Sequence, residues 1–158
     1  MPSTQSLCVS LRDKILEQLE RTAHLLTLMP AEPDALTGHL LECMAGVCAV
    51  LYAAAPERLA HFAELRRLPV NHPCVPAEAI ERIAVYRAHV EQGFAALADE
   101  DLARLIPTVF VPQGEALLTL FLGNLEHLIN HKHELFTRLK DSGVRIGTPD
   151  LYRLRGVE

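Results

Sequence analysis

Two histidines four residues apart, His127 and His131, stand in the stretch Asn124-Leu-Glu-His-Leu-Ile-Asn-His-Lys132. On a helix this spacing puts both imidazoles on one face, where two neutral rings chelate a single ion. Alone the pair is a weak signal, because a 158-residue chain with eight histidines often produces one by chance. His39 sharpens it. At 100° per residue from Leu117, the apolar residues between Leu117 and Leu139 centre near about 50°, with His127 at about 280° and His131 at about 320°. Counted from Leu36 on an earlier apolar segment, the core direction is about 40° and His39 falls at about 300°, the same flanking position. Three imidazoles with open positions for water suit zinc, nickel or another first-row divalent ion, and leave room for Lewis-acid chemistry. Cys43, four residues after His39 on the same flank, offers a thiolate as a fourth donor. The competing reading of Cys43 is a buried free thiol. Glu134, three after His131, is placed to accept from a ligand imidazole.

Other metal chemistries fail on spacing. A di-iron site in a helical bundle takes Glu-x-x-His pairs from two helices, and none of the eight histidines has Glu three residues before it. Cys8, Cys43, Cys48 and Cys74 show no C-x-x-C spacing, which excludes zinc-finger ligation and points to free thiols packed as small hydrophobes. His24, His61, His72, His89 and His133 have no consistent partner at ligand spacing and are expected at the surface or around the ligands.

The elements that must position these residues are helical. Leu11, Ile15, Leu19, Thr22, Leu26 and Met29 form one stripe, predicting a helix from about Ser6 to Met29 that Pro30 and Pro33 end. Asp34 is a candidate N-cap for a second helix to about Ala55. Pro56 opens a short helix, Glu57 to Leu68, before the breaker-rich stretch Pro69 to Pro76. Pro76 starts a third long helix to about Ala98. One helical turn is expected over Asp99 to Arg104 and an extended segment over Leu105 to Pro112. A fourth helix follows from about Gln113 to Asp141, with Gly143 as its left-handed C-cap. Without hairpin signals or alternating strands, the expected fold is all-α: a four-helix bundle with a long crossover between helices two and three that carries a short extra helix.

Length fits one domain over residues 1–158, and 49% hydrophobic with 22% charged residues is ordinary globular composition. A formal charge of −5 with dispersed Lys and Arg argues against nucleic-acid binding. The uncharged run Cys43 to Ala55 is too short to span a bilayer, and Met1 to Ser10 lacks the pattern of a secretory signal, so no membrane partner and a cytoplasmic location are expected. Lys132, at about 60° on the fourth helix, and Arg87, near the buried side of the third, put charges amid apolar arcs, which either a homodimer interface or snorkelling to a bundle end would accommodate.

The residues around these histidines resemble the DinB-like superfamily of small bacterial metal-binding four-helix bundles. Gly38-His39-Leu40-Leu41 is similar to the family's second-helix histidine segment, and Asn124 to Val144 resembles its fourth-helix signature, H-x-x-x-H-R-G-Q-L with a glycine about twelve residues after the second histidine. Here Lys132-His133-Glu134-Leu135 replaces Arg-Gly-Gln-Leu, and Gly143 falls twelve after His131. Thr148 to Tyr152 resembles the family's C-terminal segment. The chain departs from the pattern in having no tryptophan. The resemblance implies one divalent ion on His39, His127 and His131, homodimers, and in some relatives activation of a low-molecular-weight thiol cofactor for transfer or isomerisation of a small-molecule substrate. Two functions follow as expectations: a metal-dependent enzyme activating a thiol or water, or a non-catalytic metal-stabilised binding or dimerisation module. Catalytic and cofactor-binding residues are not assigned.

Overall fold

The computed structural model describes residues 5–57 and 72–153. It is mostly helical, with four long helices among the described residues: α1 (Leu7–Leu26), α2 (Ala35–Ala54), α3 (Pro76–Ala95) and α4 (Leu117–Asp141). A 3-10 turn (Asp99–Ala103) and two short strands, β1 (Leu105–Ile106) and β2 (Glu115–Ala116), lead into α4, and a four-residue helix, α5 (Thr148–Leu151), follows it. The all-α class holds. The short helix expected over Glu57 to Leu68 lies almost wholly outside the described residues.

Helices α1 and α2 start where a side chain supplies a partner for the first free N–H groups, and α3 starts at a proline. Asp34 caps α2 by accepting from the Thr37 N–H at 2.8 Å, and Pro76 occupies the first turn of α3, where its missing N–H costs nothing. At α1 the side chain of Ser6 caps Val9, while the distant Asp99 carboxylate accepts from the Leu7 and Cys8 N–H groups, both at 2.9 Å. Those bonds, with the Ser6 hydroxyl, hold the Asp99 carboxyl down at about 2. At the other end of α4, Gly143 has φ +89°, its N–H bonds Lys140 and the Val144 N–H bonds Leu139, the paired closure of a left-handed C-cap.

Three boundaries differ from expectation. Helix α1 ends at Leu26, with Thr27 to Met29 in turns ahead of Pro30, and α3 stops at Ala95. Helix α4 starts at Leu117, four residues later than its pattern suggests, because Glu115 and Ala116 pair antiparallel with Ile106 and Leu105. Gly114 makes that turn with φ +101°, and an added Cβ there would meet Leu105 at 2.9 Å. Local hydrophobic pattern carries no trace of a two-residue pairing.

Helices α1 and α2 each pack chiefly on α3 and α4, so the two consecutive helices sit across the core from one another. Ile15, Leu19, Leu40, Met44, Leu51, Tyr86, Phe121 and Leu128 are among the side chains fully removed from solvent. Helix α2 starts beside the segment before α3, where Asp34 and Cys74 exchange backbone hydrogen bonds at 3.0 and 3.1 Å. It is the most apolar element, and by length and composition alone Ala35–Ala54 would suffice to cross a membrane, a qualification of the expectation drawn from the uncharged run. Here it lies between α3 and α4 with its apolar side chains in the core.

Lys132 is 1% exposed. Its ammonium donates to Gln18 Oε1 at 2.5 Å and to the Leu151 carbonyl at 2.8 Å, and burial lowers its pKa to about 8. A partner within the chain thus covers this charge, and snorkelling does not describe it. Arg87 faces solvent beside Glu91. Neither residue retains an argument for an interface between copies.

Candidate metal centre

His39 projects from the first half of α2, while His127 and His131 project from the middle of α4, which runs antiparallel to it. Close approach of the two helices is favoured by Gly46, where a Cβ would stand 2.5 Å from Asn124 Oδ1, one helical turn before His127. The three sequence-predicted ligands come together. His39 Nε2 lies 3.0 Å from His131 Nε2 and 3.4 Å from His127 Nε2, and the ring centroids are 4.3 to 5.3 Å apart. Donors about 2.0–2.1 Å from a tetrahedral ion stand roughly 3.3 Å from each other, so these separations match the edges of such a site.

Which nitrogens face inward is fixed from outside. His39 Nδ1 lies 3.0 Å from Glu42 Oε2, and His131 Nδ1 lies 3.0 Å from Glu134 Oε2. An ionised carboxylate only accepts, so each Nδ1 carries the proton and each Nε2 presents its lone pair to the centre. Two lone pairs 3.0 Å apart repel unless a proton or a cation lies between them. The third ring differs: His127 has Cys43 Sγ 3.9 Å from its Nδ1, and partial desolvation, followed by the repulsion it would meet from protonated His131 and His39, lowers its pKa.

Cys43 is buried, and desolvation, with the Glu42 charge behind it, pushes its thiol up to about 11. Its sulfur approaches the outer nitrogen of His127, though one donor atom from each of His39, Cys43, His127 and His131 can be chosen within 4.8 Å of all the others. All four cysteines are free and buried. The cluster opens to solvent on one side, with His127 exposed and the His39 and His131 side chains 34% and 27% exposed.

Glu42 was not singled out by its sequence position, yet its signal is there. His39 and Glu42 repeat the His-x-x-Glu spacing of His131 and Glu134. On a helix that order sets the carboxylate one turn beyond the ring. Of the remaining histidines in the described residues, His24 pairs with Asp150 at 2.7 Å, far from this centre in sequence, and His133 stacks near Phe136. His61 lies outside the described residues.

No family model, no curated protein and no solved structure matches this chain.

Proposed function

We propose that His39, His127 and His131 hold one divalent transition ion, zinc or nickel, and that the protein is a metal-dependent enzyme acting through a low-molecular-weight thiol or water. The observation that carries this reading is the convergence of three imidazole nitrogens, two turned inward by carboxylates on their outer nitrogens. Such an ion, when bound, lowers the pKa of a thiol or water at an open position and so supplies a nucleophile at neutral pH. The chain's own groups do the rest. Glu42 and Glu134 hold the Nδ1 protons and lock both rings, which raises ligand basicity. The solvent-facing side of the cluster leaves room for a small-molecule substrate. The resemblance to DinB-like proteins supports the same reading, and with it a cytoplasmic homodimer whose four long helices form a bundle with a crossover between α2 and α3.

The second reading is a non-catalytic, metal-stabilised module. The nearness of Cys43 favours it, because a thiolate in the fourth position would close the site. Metal analysis of protein purified without a histidine tag tests the shared premise, and the expected result is that His131→Ala holds about one ion per chain fewer than the wild type. Adding a low-molecular-weight thiol to the cobalt-loaded protein in a Cys74→Ser background, so that this centre alone is read, separates the two readings. A changed ligand-field spectrum supports the open site, and an unchanged spectrum supports closure by Cys43.

A further inference from the structure

On the segment that enters α3, the chain reads His72-Pro-Cys74-Val-Pro-Ala-Glu78. Local spacing brings three different donors to one place: an imidazole, a thiol two residues on, and a carboxylate in the first turn of the helix. In the structure one donor atom from each of His72, Cys74 and Glu78 lies within 4.8 Å of the other two. His72 Nε2 is 3.9 Å from Glu78 Oε1. A tetrahedral ion with nitrogen and oxygen donors near 2.0–2.1 Å and sulfur near 2.3 Å places its ligands about 3.3–3.6 Å apart, so the His72–Glu78 pair must close by roughly half an ångström around an ion, with the thiol already within 4.8 Å of both.

Two features argue for a built site. The segment is pinned: Cys74 is bonded through its backbone to Asp34 in both directions, and the His72 carbonyl rests on Gly38, where an added Cβ would stand 1.8 Å away. Besides this, His72 Nδ1 is buried without a hydrogen-bond partner, which leaves Nε2, the nitrogen on the Glu78 side, as the donor an ion can reach.

We infer that His72, Cys74 and Glu78 form a second metal site, for a thiophilic divalent ion such as zinc, independent of the three-histidine centre. A thiolate and a carboxylate bring two negative charges, which a divalent ion balances. Arg82, whose guanidinium stands 3.8 Å from Glu78, also contacts the Tyr86 hydroxyl at 3.3 Å and keeps that contact as Glu78 turns to the ion. Three protein donors leave the fourth position to water or to an incoming group.

The test is cobalt titration of the metal-stripped full-length chain, followed by zinc competition, with circular dichroism on each variant. The wild type is expected to take two equivalents and to develop a thiolate-to-cobalt charge-transfer band. In a protein carrying His39→Ala, His127→Ala and His131→Ala, one equivalent and the band should remain. Adding Cys74→Ser to that protein should remove both, whereas adding Cys43→Ser should leave both. Glu78→Gln, at an exposed helix position, gives a second variant that keeps the fold and should weaken the band's titration at least tenfold. A triple-histidine variant that is folded and binds no cobalt overturns the inference, as does a band that survives Cys74→Ser. Loss of the first equivalent alone bears on the three-histidine centre and leaves this one standing.

Discussion

The two candidate ligand clusters among the described residues are assembled in opposite ways. His39 and the pair on α4 are 88 and 92 residues apart in sequence and meet only because α2 and α4 pack antiparallel. His72, Cys74 and Glu78 fall within seven consecutive residues. The first cluster has its rings on long helices, locked by carboxylates one turn away. The second sits in a proline-broken approach to a helix, and its rigidity comes from a backbone clasp to Asp34. Long-range assembly ties ion binding to the folded state, so metal at the first centre should stabilise the protein. Local assembly lets part of the second cluster survive in the unfolded chain, which reduces the net stabilisation its ion gives.

The largest effect should come from removing a first-centre ligand. His131→Ala is expected to weaken that ion by more than about 100-fold, beyond the loss typical of an outer partner, while the cobalt–thiolate band is unchanged. With the ion at a hundred times its dissociation constant, the wild type should gain about 2.7 kcal/mol in denaturant unfolding, and this gain should vanish in the variant. Equal metal protection in both proteins would remove the distinction between the clusters.

Next in size are the orienting carboxylates. Glu42→Gln and Glu134→Gln should each weaken the first ion about 10- to 100-fold, because a neutral amide oxygen is a poorer acceptor for the Nδ1 proton. Isothermal titration measures this directly, and affinities within twofold of wild type would show that both glutamates merely face solvent.

Gly38→Ala probes the clasp from α2. Its Cβ meets a backbone carbonyl, which cannot rotate away, so the His72 segment must shift at a cost of about 1–3 kcal/mol. The cobalt–thiolate band should weaken more than the three-histidine binding. A thermal melt and both titrations on one preparation check it, and uniform loss at the two clusters would mean that they are coupled.

The smallest effect concerns pH. Burial raises the Asp34 carboxyl, but the Thr37 N–H and then Arg138, at 2.9 Å, outweigh it and hold the group below its usual range. A carboxyl lowered on folding adds stability that is present above the unfolded value near about 4 and is lost as pH falls through the folded one. Asp34→Asn keeps a good cap and should cost under about 1 kcal/mol at pH 7, chiefly the partly exposed ion pair. Its metal-free unfolding curve should fall less steeply below about pH 4 than the wild type's. Parallel acid limbs would exclude Asp34 as a contributor.

Much of the fold was written locally. Helix phase follows from 100° per residue, so the stripes of α1 and α4, the cap at Asp34, Pro76 in the first turn of α3 and the left-handed Gly143 were legible from residue types alone. The same arithmetic put His39, His127 and His131 on equivalent flanks. Distance between helices is not local, however, and the packing that brings Nε2 atoms to 3.0 and 3.4 Å, with Gly46 against Asn124, emerges only when the core closes. Helical phase leaves the partners of Lys132 unnamed. It marks a buried position, but only the returning chain at Leu151 and the amide of Gln18 show that the charge is satisfied within one molecule. The β1–β2 pairing and the Asp34–Cys74 clasp belong to the same category, since backbone hydrogen bonds between segments leave no period in a sequence. Residue order set what each element can offer, and the tertiary structure decided which offers meet, because contact depends on the joint packing of many side chains that no single segment contains.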